Sequence, residues 1–199
     1  MEDKFLVAKT LLECYKHLDD LYDALTDSSE KAVANGFYAI FPLEQMRIYE
    51  RIIRYEARKV GVYNMKYLIE ESFRRGGSHA LSLLKEKYLH GYSIADLAEK
   101  YGVCMRTCYR HLKKGLVAFT EELEKLGFDK KRLICLYGNE PLFMTMLNLV
   151  IKEDDAEGRE EKREEGKKGD DAPTEKKTEI NNRRNRLPRD NGGHVRSYV

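Results

Sequence analysis

No apolar run in this 199-residue chain approaches the roughly 18 residues of a membrane-spanning helix. The opening segment, MEDKFLVAK, is acidic and amphipathic, unlike a secretory leader. A cytoplasmic protein with no membrane partner is the expectation. A charge imbalance is also lacking: 36 Lys and Arg stand against 34 Asp and Glu, a formal net charge of +2. The chain as a whole is no polycation, so affinity for nucleic acid has to come from a local patch.

Cysteine is scarce, at Cys14, Cys104, Cys108 and Cys135. This spacing is no disulfide framework, and a cytoplasmic chain keeps such thiols reduced. Cys104, Cys108 and His111 do fall at helical spacing, as metal ligands can. Cys108, however, occupies a position that needs an apolar core residue, and a closed site would require further ligands. Neither a metal nor a cofactor is expected. Catalytic signatures are missing as well. His17, His79, His90 and His111 have no nucleophile or carboxylate at a recognisable spacing. Gly76-Gly77 lacks the flanking Lys and Ser/Thr of a phosphate-binding loop. An enzyme is therefore not expected.

What the chain does have is helical periodicity. Phe5, Ala8, Leu11, Leu12, Tyr15, Leu18, Tyr22 and Leu25 recur three or four apart, which predicts one amphipathic helix over residues 3–26. Asp27-Ser28-Ser29 then interrupts it. The stripe serves as core packing or, being long for so small a body, as a homodimer face through the N-terminal helices. Asn35-Gly36 marks a turn, and Pro42 suits the first turn of a new helix. Met46, Tyr49, Ile53, Ala57 and Val60 line one side of that helix, which Gly61 ends. A further helix spans about residues 63–74. Ser78 caps the next, over residues 79–90. The aromatic residues Phe37, Tyr38, Phe41, Tyr49 and Tyr63 read as helical core or as the lining of a small-ligand pocket. Pro141 opens a last helix. From Lys152 onward large apolar residues nearly vanish and acidic and basic residues balance, which predicts a disordered tail. No strand pattern survives. The fold class is all-α: a helical N-terminal half over 1–77, a central helix-turn-helix over 78–127, a helical segment over 128–151 and a disordered charged C-terminal tail over 152–199.

Ser93 to Phe119 carries the functional signal. Ser93 is followed three residues later by Asp96, a capping box with Asp for Glu. Ile94, Leu97, Ala98 and Tyr101 form the inner face of a short helix. Gly102 can take the left-handed backbone of a turn, and Val103 plugs that turn into the core. A second helix, about 105–126, turns Met105, Cys108, Leu112, Leu116, Phe119 and Leu123 inward. Arg106, Thr107, Tyr109, Arg110, His111, Lys113 and Lys114 remain on its outer face. Residues 85–114 hold seven Lys and Arg against three Asp and Glu. The first turn of a recognition helix enters the major groove of double-stranded DNA, where Arg can donate two hydrogen bonds to guanine. Thr107, Lys113 and Lys114 suit phosphates, and Ser93, Met105, Tyr109 and His111 are counted with them as DNA-binding residues.

Ala98-Glu99-Lys100-Tyr101-Gly102-Val103 and Thr107-Cys108-Tyr109-Arg110-His111-Leu112 resemble the C-terminal, region-four domain of bacterial sigma factors. There a short helix ending in Ala-Glu-x-x-Gly precedes a Ser-capped recognition helix. Small phage and Gram-positive regulators of late or autolysin genes look similar. The resemblance covers about 50 residues and implies a wingless, all-α transcription regulator of bacterial or phage origin with RNA polymerase as a partner. Two departures stand out. Cys104 replaces the usual Ser cap, and residues 1–78 lack the basic and aromatic cluster of a promoter-melting domain. Thr-x-Tyr-Arg-x-Leu also occurs in the DNA-binding tail of serine recombinases, whose separate α/β catalytic domain has no counterpart in the helical residues here. An alternative to DNA reading is a protein-interaction module, with Tyr109, His111 and Met105 contacting polymerase or another partner.

Overall fold

The computed structural model describes residues 3–168, with side chains over residues 5–156. Among the described residues the chain is wholly helical. The helices are α1 (Asp3–Tyr15), α2 (Leu18–Gly36), α3 (Pro42–Arg75), α4 (His79–Tyr88), α5 (Ile94–Lys100), α6 (Met105–Lys125), α7 (Lys130–Tyr137) and α8 (Pro141–Lys168). None is long and apolar enough to cross a membrane. Residues 1–160 form one compact unit.

α1 and α6 are the hub. α1 touches α3, α4, α6 and α7, while α6 also receives α3, α4 and α5. Val7, Ala8, Leu11, Leu12 and Cys14 of α1 are all buried. They meet Met65, Ile69 and Phe73 of α3 and Phe119 and Leu123 of α6 in one cluster. Phe73 and Phe119 stack with ring centroids 5.0 Å apart. The core therefore runs without a break from the N-terminal helices into α4–α6.

Several boundaries differ from the sequence expectation. The helix expected over 3–26 breaks at Lys16-His17, where His17 N–H donates to the Cys14 carbonyl at 2.9 Å and a new helix starts. Asp27-Ser28-Ser29 does not interrupt α2. Ser28 bonds back to the Ala24 carbonyl, and Ser29 donates to Glu56 of α3 at 2.7 Å, so both polar side chains are satisfied within the hairpin. Gly61 does not end α3, because the helix passes through it for 34 residues. A single mid-helix glycine costs only about 1 kcal/mol, which the flanking buried residues Val62, Met65, Leu68 and Ile69 offset. The stripe on the first half of α3 faces out: Met46, Tyr49, Ile53 and Val60 are 60–67% exposed. Phe37, Tyr38, Phe41 and Tyr63 are also exposed. The stripe on residues 5–25, conversely, goes largely into the core, with Ala8, Leu11, Leu12, Leu18 and Leu25 buried and Tyr22 left 39% exposed. α8 runs past Lys152 to Lys168, across the start of the segment expected to be disordered; residues 169–199 lie outside the described residues.

Pro42 opens α3, and Ser78 caps α4 by accepting from Leu81 N–H at 3.2 Å. α4 and α6 approach unusually closely. A Cβ on Gly115 would overlap the Ala80 carbonyl oxygen and lie 3.1 Å from Leu84 Cβ. At the end of α3 the Arg74 and Arg75 guanidiniums both donate to Glu71, at 2.6–2.7 Å. They hold its carboxyl down from 4.5 to about 2.

Gly115→Ala is expected to destabilise the protein despite its better helix propensity of about 1 kcal/mol, because the overlap is with backbone; overpacking of about 1–3 kcal/mol or more opposes it. A urea midpoint that rises would show α4 and α6 to be further apart. Because the Glu71 carboxyl is depressed on folding, its stabilisation is present above pH 4.5 and fades as pH falls toward about 2. Glu71→Gln should therefore be less stable than the natural chain near neutrality and converge with it in acid. A deficit that persists unchanged at low pH would assign the loss to packing.

Candidate nucleic-acid interface

α5 begins where the sequence places it. Ser93 Oγ accepts from Asp96 N–H at 3.2 Å while Asp96 accepts from Ser93 N–H at 3.1 Å, a reciprocal box that satisfies two otherwise orphaned donors. Leu97 and Ala98 are buried beneath it. At its end Gly102 takes φ +62°, and Val103 N–H reaches back to the Ala98 carbonyl at 2.9 Å. That backbone favours glycine and reverses the chain within two residues. α6 then starts at Met105. Cys108, Leu112, Phe119 and Leu123 seat it on the core, so its polar face is turned to solvent. A ring cluster locks the first residue of α4 to both helices. His79 meets Tyr101 edge-on at 5.4 Å and His111 at 6.0 Å.

Arg106, Thr107, Tyr109, Arg110 and Lys113 together line a shallow groove on the first turns of α6. They recur at three- and four-residue spacing, which puts them on one helix face. Among the described residues, Arg106, Arg110, Lys113 and Lys114 have no ion-pair partner. Three positive charges bordering one concavity, uncompensated within the body, make a surface that attracts anions.

The other expected site residues lie around this groove without lining it. Met105 is 51% exposed, beside Tyr109 at 49%, at the start of the helix. Met105 was expected to pack inward, but at the first position of α6 it has no neighbouring layer to enter. Lys114 is exposed on the adjoining strip of α6. His111 is half-buried and packs back on His79, so it contributes little to the outer surface. Ser93 is exposed, and its hydroxyl oxygen serves as the α5 cap.

Cys104 adds a feature that the sequence presents only as a weak cap. Its side chain makes no cap bond, yet its Sγ lies 3.2 Å from Thr107 Oγ1. The Thr107 hydroxyl, and then its backbone N–H at the helix N-terminus, pull the exposed thiol below its ordinary range. Cys108 instead is buried in the core, and burial pushes its thiol up, so the two sulfurs do not converge on one centre. Among the described residues no group of three or more His, Cys, Asp or Glu side chains is placed to hold a metal ion.

Cys104 has the extended backbone of an N-cap, φ −71° and ψ 154°, so a serine oxygen there would accept from Thr107 N–H without rearrangement. Cys104→Ser should stabilise the helix by about 0.5–1 kcal/mol and raise the melting temperature by about 1–4 °C. A melt showing no gain or a loss would count against the cap assignment. No known family model, curated protein or solved structure matches this chain.

Proposed function

We propose that the protein is a sequence-specific double-stranded DNA-binding transcriptional regulator of sigma-like helix-turn-helix type, acting in the cytoplasm. In this reading α6 lies in the major groove. The observation that carries it is the groove at the start of α6, where Arg106, Arg110 and Lys113 converge without ion-pair partners among the described residues. Arg106 and Arg110, one turn apart, reach base edges. Thr107, Lys113 and Lys114 bind phosphates, and the capped end of α5 at Ser93 meets the backbone alongside. The ring cluster and the Gly102 turn hold α5 and α6 rigid relative to each other, which keeps side chains in register with base pairs.

One observation favours a second reading. Met105 and Tyr109 form an exposed apolar edge beside the cations, which suits a protein partner such as RNA polymerase contacted without DNA readout. Ionic strength separates the two. Phosphate contacts release counterions, each steepening the fall of log K with log salt by about 0.9, whereas an apolar protein contact is nearly insensitive to salt.

Selection from a random duplex library should yield a consensus sequence. Arg106→Ala/Arg110→Ala should weaken binding to it by about 10- to 100-fold or more and relax its specificity. Lys113→Ala should weaken all sequences alike and lower the salt slope by about one. Binding without any consensus would reduce the reading to nonspecific affinity, and absence of binding at low salt would overturn it in favour of the protein-contact surface.

A further inference from the structure

The N-terminal half of α3 carries an apolar stripe that nothing in the described chain covers. Its centre is Ile53, 67% exposed. Four residues to either side stand Tyr49 and Ala57, seven to either side Met46 and Val60, and ten to either side Leu43 and Tyr63. All are exposed. The stripe therefore reads the same in position from either end, which an antiparallel pairing of two identical helices about a two-fold axis requires and a foreign partner does not.

We propose that the protein is a homodimer in which two α3 helices pack antiparallel about a two-fold axis beside Ile53.

Helix geometry of 100° and 1.5 Å per residue gives the layers. Met46 of one copy lies level with Val60 of the other, and bulky Tyr49 level with small Ala57. Members of each layer sit on opposite sides of the stripe's midline, so they interdigitate rather than collide. Charge follows the same symmetry. Glu50 and Arg54 share one flank of the stripe, and neither has an ion-pair partner among the described residues. The two-fold axis sets Glu50 of each copy beside Arg54 of the other. The hairpin tip of one copy, with Ile40 and Phe41 at 84% and 70% exposure, comes alongside Tyr63 and Tyr67 of the second. At about 100 Å² for each large side chain left more than half exposed, the stripe and tip offer about 1,000 Å². That exceeds the ~300–600 Å² patch usual on a monomer and meets the ~800 Å² per partner of a standard interface. The dimer stands apart from the DNA reading, since none of these residues lies on α6.

Sedimentation of the full chain without DNA tests it directly. The natural chain should run as a dimer and Ile53→Asp as a monomer with unchanged helicity, melting where the natural chain melts once diluted below its dimerisation range. A monomeric natural chain, or a dimer indifferent to Ile53→Asp, would overturn the proposal. Orientation is read by oxidative cross-linking in a Cys104→Ser/Cys135→Ser background, since these are the exposed cysteines. Ile53→Cys should form a disulfide between copies. Met46→Cys should not, its two copies being about 21 Å apart along the axis, while Met46→Cys/Val60→Cys should. Cross-linking of Met46→Cys alone would mean parallel helices and sink the antiparallel arrangement.

Discussion

The seat of α4 on α6 at Gly115 is the constraint on which the rest of the body depends. With no Cβ at that position, the Ala80 carbonyl lies close against the α6 backbone. Dispersion between atoms this near is strong because it falls steeply with distance. The close pair then fixes everything built on it. α5 packs on both helices, His79 at the head of α4 reaches Tyr101 and His111, and among the described residues the cationic face of α6 stays exposed. A larger residue at position 115 would change the tilt of the very helix whose outer face carries the charges.

α3 divides its labour along its length. Its last turns belong to the core through Met65, Ile69 and Phe73, and Glu71 gathers two arginines at its end. Its first half packs chiefly on α2, with polar ties from Ser29 to Glu56 and from Arg58 to Glu140. Those ties are polar and partly exposed, so each contributes modestly. The hairpin leaves its most apolar strip outside, an arrangement that is costly in water unless another surface covers it.

Capping chemistry was the most legible layer of the sequence. Ser78, Ser93 with Asp96, Pro42 and Gly102 sit where short-range hydrogen-bond logic puts them, because caps and turns depend on neighbours within four residues. The five groove residues were legible for the same reason, lying on one face of a helix whose inner face is plainly apolar. Orientation of α3 was not legible. It carries two apolar sets, one with Ile53 and one with Val62, Met65 and Ile69, and periodicity finds a stripe without saying which faces the core. Breaks were misplaced where tertiary contacts override local preference, as at Ser29 and Gly61. Gly115 could not be singled out either, since its role lies entirely in a carbonyl 35 residues away in sequence.

The unbroken helix between Ile53 and Met65 has a consequence for how this protein can vary. One rigid rod links an outward strip to an inward one, so their angular phase is fixed by the number of residues between them. Inserting or deleting a single residue there turns the outer strip by about 100° relative to the core. Deleting a full heptad would nearly restore the phase but shorten the rod by about 10 Å. The segment is mostly solvent-exposed, where substitutions are usually tolerated, yet its length should be held as tightly as that of a buried element. The quantity under constraint there is a count of residues rather than their identity.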